Sequence, residues 1–148
     1  MRYAFLIPIL GLLASLGATP GLAAEGRPAG GALGIWMNPK HSLVVHTDAC
    51  ANATGATLCG RIVWASRQAL ADASDASVPR LVGTELLEDY RLRGKGVWQG
   101  TVFVPDMGRR FYSEIDEVSP DRLKVKGCIL GGLLCKSQVW TRVAQVPA

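Results

Sequence analysis

Residues 98–142 read WQGTVFVPDMGRRFYSEIDEVSPDRLKVKGCILGGLLCKSQVWTR. Apolar and polar residues alternate along this stretch between clusters of turn residues, the pattern of an antiparallel sheet with one buried face. Pro105-Asp106-Met107-Gly108 is a turn cluster. As a four-residue loop it sets Val104 opposite Arg109, Val102 opposite Phe111 and Trp98 opposite Ile115. Arg110, Tyr112, Glu114 and Asp116 then take the other face. Gly131-Gly132 suits a two-residue type I′ hairpin, which needs positive φ at both positions. It sets Ile129 against Leu134, Val125 against Gln138, Leu123 against Trp140 and Cys128 against Cys135. A slip of one residue would spoil both the core and the cysteine pair, so the register is strongly specified.

Working outward, Met1 to Ala24 combines a basic Arg2, an apolar run from Ala4 to Gly17 and small residues at Gly21-Leu22-Ala23-Ala24. This predicts a secretory signal peptide over residues 1–24, its apolar core being short for a membrane span. No lipobox cysteine follows. Residues 25–32, rich in Gly and Pro, are expected as a flexible lead-in, and residues 33–148 as a single domain. The formal charge is +4, but the basic residues are scattered and often sit beside acids. No basic run with interleaved aromatics points to nucleic acid.

In an exported chain, four cysteines mean disulfides. Cys128–Cys135 follows from the Gly-Gly hairpin. A turn at Thr54-Gly55 places Cys50 opposite Cys59, Thr47 opposite Ile62 and Val45 opposite Trp64, giving Cys50–Cys59 as the second bridge. The C-x₂₋₄-C spacing of structural zinc is absent, and no metal is expected. His41 and His46 differ in parity and would face opposite sides of a strand, so they form no joint metal site.

Strands are expected at Leu33–Trp36, Ser42–Thr47, Leu58–Ser66, Leu86–Arg93 and Val97–Val104, with three more before the chain reaches Val143. The long irregular connection Arg67–Gly83 has room for a short helical turn before Pro79 and is long enough to serve as a lid. Eight antiparallel strands in series leave two edges, and closing into an up-and-down barrel removes them. The expected fold is therefore all-β, an eight-stranded barrel wide enough to be filled by side chains or to hold one small ligand.

Gly34-x-Trp36 on the first strand and Trp140-x-Arg142 on the last resemble the calycin pattern of lipocalins, fatty-acid-binding proteins and avidins. That resemblance implies barrel closure by Gly34, Trp36, Trp140 and Arg142, with the arginine stacked on the first-strand tryptophan. A resemblance covering nearly all of residues 33–148 rests on six segments: Gly34-x-Trp36, Cys59-Gly60-Arg61-Ile62-Val63-Trp64, Trp98-x-Gly100, Pro105-Asp106-x-Gly108-x-x-Phe111-Tyr112-Ser113, Leu123-x-Val125-x-Gly127 and Gln138-Val139-Trp140-x-Arg142. These are similar to the bacterial exported family known as domain of unknown function 2147. It implies a periplasmic or secreted protein and the Cys50/Cys59 pair, with no agreed activity. Cys128/Cys135 looks like an addition to its pattern.

No constellation of nucleophile and base, paired carboxylates or metal ligands stands out, so no catalytic residue, enzyme activity or cofactor is expected. Glu114 and Asp116 share a face but should lie opposite Lys126 and Lys124, where ion pairing explains them. On the inner face Trp64, Trp98, Phe111, Ser113 and Gln138 are the candidate ligand-binding residues, with Trp36 and Trp140 nearby and Gly100 and Gly127 leaving space. The expected function is non-covalent binding of a small apolar or amphipathic ligand in the barrel mouth, flanked by the Arg67–Gly83 connection. The alternative is a filled core, with the barrel working as a protein-interaction or envelope-maintenance module. The corresponding partners are a small hydrophobic ligand or an envelope protein, with no nucleic acid; an integral membrane protein is not expected.

Overall fold

The computed structural model describes residues 31–148. The expected signal peptide, and the lead-in as far as residue 30, lie outside them. Eight strands form a closed barrel in sequence order: β1 Gly34–Met37, β2 Leu43–Asp48, β3 Thr57–Ala65, β4 Glu85–Gly94, β5 Val97–Val104, β6 Arg109–Ser119, β7 Arg122–Ile129 and β8 Leu134–Arg142. Every neighbouring pair is antiparallel, and β1 meets β8 to close the ring. This is the expected up-and-down barrel, consistent with the calycin resemblance.

Turn chemistry sets the C-terminal half as expected. Pro105–Met107 is a 3₁₀ turn capped by Gly108 at φ 60°, and it leaves Val104 opposite Arg109, Val102 opposite Phe111 and Trp98 opposite Ile115. At the last hairpin Leu133 N–H donates to the Leu130 carbonyl, and Gly131 and Gly132 take φ values of 64° and 94°. Cys128 faces Cys135, and Val125 faces Gln138, as the turn dictates.

The N-terminal half departs from the expected register. Asp48, not Cys50, lies opposite Cys59, so Thr47 meets Gly60 and Val45 meets Ile62. A bulge between Val44 and Val45 then pairs Val44 with Trp64, leaving Val63 as the extra residue on β3. The Cys50–Cys59 disulfide forms nonetheless, with a Cα–Cα distance of 4.9 Å, because Cys50 lies just beyond β2 in the turn. A second irregularity sits in β4. Asp89 adopts φ 50°, and the pairing with β5 shifts by one residue between Glu88 and Arg91. Leu87 and Tyr90 both enter the core in consequence.

Residues 67–83 are more ordered than expected. Helix α1 spans Arg67–Asp75, with the Ser66 side chain accepting from the Ala69 N–H at its start. Its buried Ala73 and the following Leu81 pack against the core. Gly31 and Ala32, expected as the end of a flexible lead-in, are docked: Ala32 is 1% exposed and the Gly31 carbonyl accepts from Arg142.

Candidate functional site

The barrel is unequally filled from end to end. At one end Arg142 lies 4.1 Å above the Trp36 ring and donates to the carbonyls of Leu33, Gly31 and Pro120 at 2.8, 2.7 and 2.7 Å. A Cβ on Gly34, whose φ is 136°, would collide with the Arg142 guanidinium, so glycine is what lets the arginine reach its place. Trp36 Nε1 donates to the Ala32 carbonyl and the Thr47 hydroxyl, while Trp98 Nε1 donates to Glu117 at 2.8 Å. The expected closure set of Gly34, Trp36 and Arg142 thus meets at this end.

The waist is also packed. Tyr90 and Ser113 are fully buried, and the Tyr90 ring lies against Gly100, where a Cβ would come within 2.6 Å of it. Neither the Tyr90 hydroxyl nor Ser113 Oγ has a well-formed hydrogen bond, although they are near neighbours. Burial pushes the Tyr90 phenol far above its ordinary range, an effect that the neighbouring Ser113 hydroxyl only partly opposes.

Above the waist the interior opens into a cavity of about 750 Å³. Val102, Phe111, Val125 and Trp140 form an apolar floor, with Leu43, Leu81, Leu86 and the α1 residues Ala69 and Ala73 along one side. The rim is polar: Lys40 and His41 in the β1–β2 turn, Asp72 on α1, Asp106 in the β5–β6 turn, and Lys136 and Gln138 on β8. Trp140 Nε1 donates to Gln138 Oε1 at 3.1 Å, which orients the glutamine and leaves its NH₂ group free of that bond. The size falls within the usual range for small-molecule sites, roughly 300–1,000 Å³.

The cavity is open because β8 outruns β1. Only Trp36–Arg142 and Met37–Thr141 pair across the seam before β1 turns away at Asn38. Asn38 fixes that turn by accepting from the Ser42 and Leu43 N–H groups. Arg142 N–H donates to the Asp121 carbonyl, just before β7, and Val143 N–H to the Ile35 carbonyl of β1. Alternation along the strand therefore aims the N–H groups of Cys135, Ser137 and Val139 at the side β1 has vacated. No strand among the described residues pairs with that edge, and Leu134, Lys136 and Gln138 are exposed although they face the interior.

Of the residues singled out from sequence, Phe111 and Gln138 line the cavity. Trp98 and Ser113 belong to the packed portion beneath it. Trp64 does not face the interior. The Val63 bulge reverses its parity, so it shares a face with its partner Val44, opposite to that of Val45, and Ala65 packs on the core instead. Trp140, assigned to closure, also floors the cavity. The Arg67–Gly83 connection flanks the mouth as expected, through α1 and Leu81, whereas sequence reading missed Lys40, His41 and the buried Tyr90. Ser66 three residues before Ala69 was a weak capping signal for the helix, and the small Gly100 opposite β4 was the one hint of a large neighbour.

Of the two outer-face carboxylates, only Glu114 forms the expected ion pair among the described residues, with Lys126. Glu114 and Asp116 lie opposite Lys126 and Lys124. Lys126 foremost, then the Tyr112 hydroxyl, hold the Glu114 carboxyl below its usual range. The Asp89 carboxylate lies close to Cys50 and Cys59, whose sulfurs are joined in a disulfide and offer no thiolate to a metal. No helix among the described residues is long and apolar enough to cross a membrane.

A family model described as an uncharacterized protein conserved in bacteria (DUF2147) matches residues 34–142. No curated protein and no solved structure matches the chain.

Proposed function

This chain belongs to that uncharacterized bacterial family, and on that premise we propose that its barrel binds a small apolar or amphipathic molecule non-covalently at the end beside α1. The observation carrying this reading is the contrast between the two halves of the interior. Trp36, Tyr90, Ile115 and Leu123 fill the lower half completely, while the inward-facing Leu134, Lys136 and Gln138 remain exposed around a cavity of about 750 Å³. An apolar floor beneath a few polar rim groups supports an occupant with an apolar body and a polar end near Gln138. Binding rather than catalysis is the reading, because the rim residues form no nucleophile–base pair. The two disulfides and the signal-like residues 1–24 support an exported protein in an oxidising compartment.

Native mass spectrometry of the purified protein, followed by tryptophan-fluorescence titration with fatty acids, isoprenoids and aromatic probes, tests the proposal. Trp140 sits in the cavity floor and reports occupancy. Gln138→Ala and Phe111→Ala should weaken the response, and Trp64→Ala, outside the cavity, should leave it. No saturable change across the panel overturns the proposal.

A further inference from the structure

The end of the molecule that carries the cavity mouth also carries the most exposed large apolar side chains among the described residues. Leu130 and Leu133, flanking the Gly131-Gly132 turn, are 71% and 89% exposed, and Ile129 and Leu134 flank them in turn. Met107, at the tip of the neighbouring β5–β6 turn, is exposed beside them across a groove containing Arg109 and Arg110. Leu130 holds φ 53°, a left-handed conformation that disfavours leucine and suits asparagine or glycine. A tight turn in water ordinarily carries polar residues. Here leucine occupies both flanks and one strained position, on a hairpin braced at its base by Cys128–Cys135.

We propose that this tip docks the protein on an anionic phospholipid surface, with Leu130, Leu133 and Met107 entering the bilayer interface and the cavity mouth facing the lipid. The tip is convex, with leucines on both flanks of a two-residue turn. A protein partner would need a pocket matched to it, whereas the acyl boundary of a bilayer accepts apolar side chains without one. Cations stand just behind the apolar tip. Lys40, Arg109 and Lys136 are exposed and in no ion pair among the described residues. Arg110 is neutralised by Glu88. Against these three cations, the residues lining the cavity and the groove include two carboxylates, Asp72 and Asp106. The balance of free charge is positive at headgroup depth, the complement of anionic lipid. The docking surface stands on the tip and its cations, and does not require that the cavity be occupied.

Cosedimentation of the protein with phosphatidylcholine vesicles, with and without phosphatidylglycerol, tests this. Wild type should pellet with the anionic vesicles and be released by salt. Leu130→Asn/Leu133→Asn, which keeps a turn-compatible sequence, should reduce partitioning at least ~10-fold. Arg109→Gln/Lys136→Gln should abolish the preference for phosphatidylglycerol. A Leu130→Trp reporter should shift its emission to the blue on the same vesicles. Wild type remaining in the supernatant, or the double leucine variant pelleting equally, overturns the proposal. So does a wild-type dimer made monomeric by the leucine substitutions, which would mark the tip as a contact between copies. Titration of a soluble fluorescent fatty acid without vesicles separates the two readings. Saturable uptake without vesicle binding removes only the docking surface, and vesicle binding without uptake removes only the ligand.

Discussion

Replacing Arg142 with Ala should open the seam of the barrel. The guanidinium stacks 4.1 Å from the Trp36 ring and donates three hydrogen bonds, to Leu33, Gly31 and Pro120. A partly desolvated cation–π contact contributes about 1 kcal/mol. Each hydrogen bond from the charged group contributes roughly 1 kcal/mol net at this depth, less what water recovers at the freed carbonyls. The nearby Asp121 is 3.9 Å away and largely exposed, and adds nothing appreciable. The sum predicts a loss of about 3 kcal/mol. For a domain of this size that lowers the thermal midpoint by roughly 10–15 °C. Arg142→Lys keeps the charge but not the planar fork and should lose most of the same stability. Urea unfolding followed by circular dichroism measures both. A midpoint for Arg142→Ala within about 0.5 kcal/mol of wild type, at unchanged denaturant slope, would refute the view that this side chain holds the seam.

Other perturbations probe the remaining layers of the fold. Gly100→Ala should destabilise by about 2–3 kcal/mol, because its Cβ strikes the Tyr90 ring and the Glu88 carbonyl, whereas Gly127→Ala meets only Val102 at 3.5 Å and should fold normally; equal stabilities would contradict that packing. Ser137→Pro removes an N–H aimed at the vacated edge and should be tolerated, while Gln138→Pro removes one aimed at β7 and should cost about 3 kcal/mol, as chemical denaturation will show. Tyr90 ionises far less readily folded than unfolded, so the stability it protects is whole below a phenol's ordinary pKa of about 10 and declines as pH climbs through that value toward the folded one. Tyr90→Phe should therefore unfold at higher alkaline pH than wild type, and an unchanged alkaline midpoint would count against it. Thiol titration of unreduced, unfolded protein should find no free cysteine, and Cys128→Ser/Cys135→Ser should lose about 2–3 kcal/mol for a loop this short.

The C-terminal half was legible because its tight turns dictate the pairing of everything beyond them. Pro105–Gly108 fixes β5 to β6 and Gly131-Gly132 fixes β7 to β8 residue by residue, and the Cys128–Cys135 bridge follows directly from the second turn. Between β2 and β5 the pairing is set by bulges at Val63 and Asp89, which no turn residue announces. Each bulge reverses the parity of the residues beyond it. That is why Trp64 lies outside the interior and Tyr90 within it. Phe111 and Gln138 were recoverable as cavity residues because the two legible turns fix their facing directly. Lys40 and His41 reach the cavity only through the three-dimensional course of the chain, which alternation within strands cannot convey.

The seam has a kinetic consequence. Every other strand pair joins neighbours along the chain and can form as soon as its hairpin exists, but the closing contacts join Arg142 to Leu33, 109 residues earlier, and to Gly31. β1 must wait, its Trp36 face uncovered, until β8 is available. Loop-closure entropy makes such a contact slow to form. A chain emerging N-terminus first would thus remain an open, seven-eighths sheet with two live edges until its final strand appeared. Its folding is timed by β8, and removing that strand would leave a protein that had assembled nearly all its pairs and yet could not close.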